Sequence, residues 1–171
     1  MKEYAFGIDL GGTTVKIAYF DETGKMLEKW EIPSRTENEG KAILPDIAEA
    51  VQKKLEERGI EKDSVTGIGI GVPGPINAEG VVPHTANLGW GYKEVTRELT
   101  ELTGLVSKGG NDANVAALGE MWKGDIPNDG VLQITTTPSL FRQWHLGNLQ
   151  NAPTINYVNA ILTTDGKWFW L

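Results

Sequence analysis

At 171 residues, with a formal net charge of −7 and no cysteine, the chain has room for one ordinary core, or for one domain and part of a second. The acidic balance argues against nucleic acid or an anionic membrane as partner, since both want clustered Lys and Arg. Without cysteine there is no disulfide, thiolate nucleophile or Cys-ligated zinc site, and no apolar run approaches the ~18–20 residues that cross a bilayer, so a soluble cytoplasmic protein is expected.

The first residues read as entering a strand directly, and no leader is expected ahead of it. Tyr4 to Ile8 is apolar, and Val15 to Phe20 is rich in β-branched and aromatic residues, so both read as strands. Between them stands Asp9-Leu10-Gly11-Gly12-Thr13-Thr14, which reads as a tight hairpin. After the turn Asp21–Gly24, Lys25 to Ile32 predicts a third strand and completes a meander. From Lys41 the period changes: Ile43, Leu44, Ile47, Val51 and Leu55 lie at helical spacing, with Gly59 placed to end the helix.

Val65 to Val72 predicts a buried strand crossed closely by other backbone, and Pro73-Gly74-Pro75 must leave the sheet. Asn77 to Trp90 is irregular. Tyr92 to Leu102 reads as a helix with Val95, Leu99 and Leu102 inward, and Leu105 to Ser107 as a short strand. Asn111-Asp112 then opens a helix through Trp122, with Ala113, Ala116, Ala117 and Met121 as its packing face. Strands alternating with helices after a meander predict an α/β lobe with a mixed sheet.

The character changes near residue 125. Residues 126–171 carry only four charged side chains (Asp129, Arg142, Asp165, Lys167) but three of the six tryptophans. Thr154 to Thr163 and Lys167 to Leu171, around Asp165-Gly166, read as a hairpin with a two-residue turn. The organisation is therefore a lobe over 1–125 and a divergent, short β-rich tail over 126–171. An exposed aromatic edge needs covering, by the lobe or by a second copy of the chain as a homo-oligomer.

Three stretches carry candidate chemistry. Bare glycine backbone at 11–12 lets N–H groups approach an anion, the Thr hydroxyls add donors, and Asp9 is placed to orient a hydrated Mg²⁺. Taken alone, two glycines between strands are more often just a turn. Gly71-Val72-Pro73-Gly74 with Asn87-Leu88-Gly89-Trp90 forms constrained loops at a strand end, where polyol hydroxyls could meet Asn87 and backbone amides. Asn111-Asp112 suits a helix cap or, alternatively, a carboxylate that accepts the proton of an alcohol attacking a phosphoryl group. A helix start is expected to keep that carboxylate ionised and weakly basic. His84 and His145 read as surface or packing residues, and Trp90 and Trp122 as core aromatics.

Taken in order, Asp9-x-Gly-Gly-Thr-x-x-Lys16, Gly71-x-Pro-Gly74, Asn87-Leu-Gly-Trp90 and Asn111-Asp-Ala-Asn-Val-Ala-Ala-Leu-Gly-Glu120 closely resemble the ROK family, its bacterial glucokinases above all, over roughly residues 3–124. The resemblance implies an actin-like, ribonuclease-H-like α/β fold and transfer of the ATP γ-phosphate to the 6-hydroxyl of glucose. By the same resemblance, Asp9, Gly11, Gly12, Thr13 and Thr14 would contact the phosphates or their Mg²⁺, with Lys16 supporting the loop. Gly74, Asn87 and Asn111 would line the sugar, and Asp112 would be the catalytic base.

The family pattern continues with a second phosphate loop, Leu-Gly-Thr-Gly-x-Gly-Gly, where this chain has Leu132-Gln133-Ile134-Thr135-Thr136-Thr137-Pro138-Ser139. The later Glu-x-Gly-His sugar motif and the Cys-rich zinc segment are also missing, so no zinc is expected. The leading expectation is a glucokinase-like lobe, truncated and weak or inactive alone. The alternative is a non-catalytic sugar-binding or assembly module. The family's sugar-responsive repressors carry a DNA-binding segment ahead of the lobe, and a lobe beginning at residue 3 argues against that version.

Overall fold

The burial pattern of each strand reports its place in the sheet. In β1 (Tyr4–Leu10) five of seven residues are buried, including consecutive ones, so both faces are covered. β2 (Thr14–Asp21) and β4 (Val65–Val72) are similarly enclosed, whereas β3 (Met26–Pro33) alternates between half-buried and exposed residues, as an edge strand with one covered face does. The computed structural model describes residues 2–115 and four short strands, β8 (Val131–Gln133), β9 (Gln143–His145), β10 (Ala160–Leu162) and β11 (Trp168–Trp170).

The five-stranded sheet runs β3-β2-β1-β4-β7, with β7 at Ser107–Asn111. β1, β2 and β3 form the antiparallel meander, while β1–β4 and β4–β7 pair in parallel, which makes the sheet mixed as expected. α2 (Ile43–Arg58) and α3 (Val95–Thr103) bury Ile43, Leu44, Ile47, Val51, Leu55, Val95 and Leu99 in one core with Phe6, Ile8, Ile17, Ile68 and Ile70 of the sheet. Burying each such side chain fully is worth about 1.5–3 kcal/mol. Ala5, Ala18 and Phe20 form a smaller cluster of their own. Gly59 ends α2 in the left-handed conformation, with its N–H on Glu56 O and Leu55 O.

Two expected elements are displaced. The helix starts at Val95 rather than Tyr92, because Lys93–Glu94 (β6) pairs with Val81–Val82 (β5). Leu102 is 41% exposed, and Thr103 takes the inward place. The stripe advances by four from Val95 to Leu99 to Thr103, and the Thr103 hydroxyl is satisfied by donating to Leu99 O at 2.7 Å. The strand expected at Leu105–Ser107 is instead Ser107–Asn111, whose Lys-Gly-Gly centre shows no apolar alternation. It is a strand because it pairs along β4, and the glycines admit neighbours: a Cβ on Gly109 would lie 2.9 Å from Ile76 Cδ1, and one on Gly110 2.7 Å from Val115 Cγ1.

Between β3 and α2 the chain makes one turn, α1 (Glu37–Gly40), in which Asn38, Glu39 and Gly40 all have positive φ (52°, 61° and 61°). Among the described tail residues, β8 pairs with β9 and β10 with β11, both antiparallel and in ladders separate from the five-stranded sheet. Strand pairing across the expected terminal hairpin is therefore present, while its turn at Asp165-Gly166, and the continuation of the last helix through Ala116, Ala117, Met121 and Trp122, lie outside the described residues. No helix among the described residues is long and apolar enough to cross a membrane.

Candidate functional site

Parallel pairing of β1, β4 and β7 brings their carboxyl ends to one edge. Asp9 lies opposite Gly71, Gly71 opposite Gly110, and Val72 opposite Asn111, so Asp9, the 73–75 loop and Asp112 leave the sheet together. Such an edge is where open α/β sheets place ligands.

The β1–β2 hairpin closes with Gly11 N–H donating to Thr14 O at 3.0 Å. A Cβ on Gly11 would lie 2.8 Å from that same oxygen, so a side chain there would break the turn. Gly12 differs: a Cβ there would make only ordinary contact with Asn87, at 3.6 Å. Packing alone does not require bare backbone at Gly12, and Gly12 and Thr13 are exposed. Lys16 sits directly across the ladder from Asp9, its Nζ 3.7 Å from Oδ2, with the Asp9 side chain 15% exposed.

Asn111 does two jobs that the sequence left open. Its Oδ1 accepts from Asn114 N–H at 3.2 Å, which caps the helix beginning at Asp112. Its Nδ2 donates to Gly74 O at 2.9 Å, tying the proline-glycine loop to that helix. Gly74 itself has φ +115°, which an L side chain rarely adopts. Capping thus falls to Asn111, and Asp112 is left half-buried, its Oδ1 accepting from its neighbour Ala113 N–H at 2.8 Å.

The expectation that a helix start depresses the basicity of Asp112 is overturned. Its carboxyl lies above the ordinary Asp value, chiefly because burial penalises the charge. The negative charge of Asp9 pushes it further up, and hydrogen bonds from Ala113 N–H and the Asn111 amide only partly offset this.

The loop bearing Asn87 is held from beneath. Thr85 N–H donates to Trp90 O (2.8 Å), Trp90 N–H to Thr85 Oγ1 (3.3 Å), and the buried Trp90 indole N–H to Gly40 O (3.0 Å). Asn87 is exposed beside Gly12, and His84 is exposed as well. All the expected site residues, Asp9, Gly11, Gly12, Thr13, Thr14, Lys16, Gly74, Asn87, Asn111 and Asp112, are thus on the hairpin, at the sheet's carboxyl edge or in loops bound to them. Ser34 was not anticipated. Its hydroxyl donates to Gly11 O at 2.6 Å and its N–H to Thr13 O at 2.9 Å. The meander register was the available signal, since Pro33 opposite Thr14 puts Ser34 beside Thr13.

Among the described residues no cluster of three or more His, Asp or Glu suits a metal on protein ligands alone. A single carboxylate beside a phosphate cradle is nevertheless a fitting donor set for Mg²⁺, which keeps most of its waters. A surface groove of ≈ 400 Å³ between the end of α2 and Lys62 shares no residue with this edge.

The sequence model of the ROK family matches residues 5–135. The chain is 43% identical over 119 residues to the glucokinase of Halalkalibacterium halodurans, covering 69% of this chain and 36% of that protein. It is 28% identical over 123 residues to the N-acetyl-D-glucosamine kinase of Histophilus somni, covering 70% and 38% respectively. Among solved structures, a ROK family glucokinase from Streptomyces griseus in complex with glucose and AMPPNP superposes with a TM-score of 0.64 at 29% identity, over 75% of this chain and 40% of that one. The chain therefore spans little more than a third of the length of the curated relatives described.

Proposed function

The chain belongs to the ROK family, and from that premise we propose that its site serves transfer of the ATP γ-phosphoryl group to the 6-hydroxyl of a hexose, glucose first. The observation that carries this reading is the pairing of two unlike carboxylates at one sheet edge: Asp9 at the foot of a glycine hairpin, and Asp112 raised in basicity at a capped helix start.

Each residue then has a distinct task. The Gly12 and Thr14 N–H groups of the hairpin and the Thr13 and Thr14 hydroxyls hold phosphate oxygens, and Asp9 with its neighbour Lys16 sets the charge beside them. Asp9 would hold Mg²⁺, which neutralises charge on the phosphates. Asn87, Gly74 and Asn111 position the sugar, Asn111 both directly and by fixing the Gly74 carbonyl. The attacking hydroxyl oxygen bonds to phosphorus as the bond to the ADP oxygen breaks, and its proton passes to Asp112. Burial favours that step, because a carboxylate above its ordinary pKa takes a proton more readily.

By itself the chain is expected to turn over weakly or not at all, since it covers 36% of the Halalkalibacterium glucokinase. The setting is cytoplasmic carbohydrate metabolism, where ATP and free hexose meet. The glycine-free sequence at 132–139 favours a second reading, a sugar-binding or assembly module without turnover. ADP release in the presence of glucose, followed for the chain and for Asp112→Asn, separates the two. Turnover that Asp112→Asn removes supports the kinase, and calorimetric glucose binding with no ADP supports the module.

A further inference from the structure

We propose that Ser34 is a positioning residue for phosphate binding, acting through the backbone of the hairpin; the inference rests on the phosphate-cradle reading of Gly11–Thr14. Ser34 is half-buried just beyond the end of β3 and spends both of its donors on that hairpin: Oγ–H on Gly11 O at 2.6 Å and N–H on Thr13 O at 2.9 Å. In a trans peptide the carbonyl and the following N–H point in opposite directions in one plane. Drawing the Gly11 carbonyl toward β3 therefore turns the Gly12 N–H away from β3, and fixing the Thr13 carbonyl does the same for the Thr14 N–H. One residue thus sets the direction of two of the donors an anion would meet: its hydroxyl orients the Gly12 N–H, and its backbone N–H orients the Thr14 N–H.

The arrangement asks for a hydroxyl in particular. Gly11 already donates its own N–H to Thr14 O, so the turn is closed without Ser34. What Ser34 adds is orientation of peptide planes that are free to tilt at glycine, where no Cβ restricts φ and ψ. Preorganised donors bind an anion more tightly than donors that must first be aligned. The polyol loops are held separately, by Asn111 on Gly74 and by Trp90 on Gly40, so loss of the Ser34 hydroxyl leaves them in place.

The test is calorimetric titration of the 171-residue chain with magnesium tripolyphosphate, a probe with no base or sugar, and separately with glucose. Ser34→Ala is expected to weaken tripolyphosphate binding about fivefold, the size of one net hydrogen bond, with glucose affinity within about twofold of the parent. Ser34→Thr, which restores the hydroxyl, is expected to return tripolyphosphate affinity to within about twofold of the parent. Should Ser34→Ala fail to fold, Ser34→Cys keeps the size with a weaker donor and is expected to show the same selective loss. Unchanged tripolyphosphate affinity in Ser34→Ala, equal loss of both ligands, or no rescue by threonine overturns the role of Ser34 while the cradle stands. A parent chain that binds glucose but no tripolyphosphate overturns the cradle and Ser34 together.

Discussion

Asp9 and Asp112 stand two strands apart at the same edge of the sheet, where burial raises the pKa of Asp112 and the charge of Asp9 adds to that rise. Two strand spacings put their backbones roughly 10 Å apart, with the β4 terminus between them. That separation divides the labour: one carboxylate belongs to the hairpin, and the other to the loops that Asn111 gathers.

The first expectation concerns turnover. Asp112→Asn keeps size and an acceptor for Ala113 N–H, so the local structure should persist. Loss of a general base lowers a rate by about 10²–10⁴-fold. Glucose-dependent ADP formation should fall by that order in Asp112→Asn, with glucose affinity changed by less than about threefold. Lost affinity with unchanged turnover would assign Asp112 to binding instead.

The same residue predicts an unusual pH dependence of stability. Its folded pKa lies above the ordinary 3.8, so its proton is held more tightly in the folded chain. The stability it contributes is present below the unfolded value and is lost as pH rises through the folded one. Asp112→Asn should therefore melt at a higher temperature than the parent at pH 7, and the two curves should converge toward pH 3. Any rate that uses Asp112 as base should have its acid limb above that of an ordinary carboxylate. Thermal melts from pH 3 to pH 8 give the answer, and a constant offset would refute it.

Glu28 predicts the opposite slope. It accepts hydrogen bonds from Lys54 Nζ at 2.8 Å and from Arg58 Nε and Nη2 at 3.0 and 2.6 Å, which hold its pKa below the ordinary glutamate value, Lys54 contributing first. A lowered pKa contributes stability above the unfolded value and loses it as pH falls through the folded one. Glu28→Gln should lower the melting temperature at pH 7 and cease to matter in acid. Because the network is partly exposed, the difference should also shrink in high salt.

How much of this was legible depended on whether a side chain or the backbone carried the information. The helix with Ile43, Leu44, Ile47, Val51 and Leu55 inward, and the end of that helix at Gly59, could be read directly, because apolar spacing and a left-handed glycine leave a mark in the sequence. The strand Ser107–Asn111 could not, since its Lys-Gly-Gly centre is specified by pairing with β4 and by neighbours that need the missing Cβ. At the site, residue types pointed to Asp9 and Asp112, but the raised pKa of Asp112 depends on burial that no local pattern encodes. Ser34 escaped for a related reason: its partners are main-chain carbonyls, which every sequence has.

Two glycines with nearly equal φ offer a controlled comparison. A Cβ on Gly59 (φ +63°) would meet nothing within 4 Å, so Gly59→Ala should cost only about 1–2 kcal/mol, the left-handed penalty. On Gly40 (φ +61°) it would lie 2.5 Å from Leu88 O and 2.7 Å from Trp90 Nε1, breaking the bond that supports the Asn87 loop. Gly40→Ala should cost roughly 3 kcal/mol or more in urea unfolding and weaken glucose binding as well. Equal costs at the two positions would mean that the Gly40 turn yields freely.

The order of strands also bears on how the protein is made. β1 is the middle strand of five, and although β2 follows it at once, its other neighbour, β4, begins with Val65 opposite Tyr4, roughly sixty residues later. At about 5–20 residues per second of synthesis, one flank of β1 waits roughly 3–12 seconds for its partner. During that interval the nascent meander presents Phe6 and Ile8 beside an open row of amides and carbonyls. A cell making this chain quickly, or in excess, is therefore expected to need chaperone attention early in translation rather than after release.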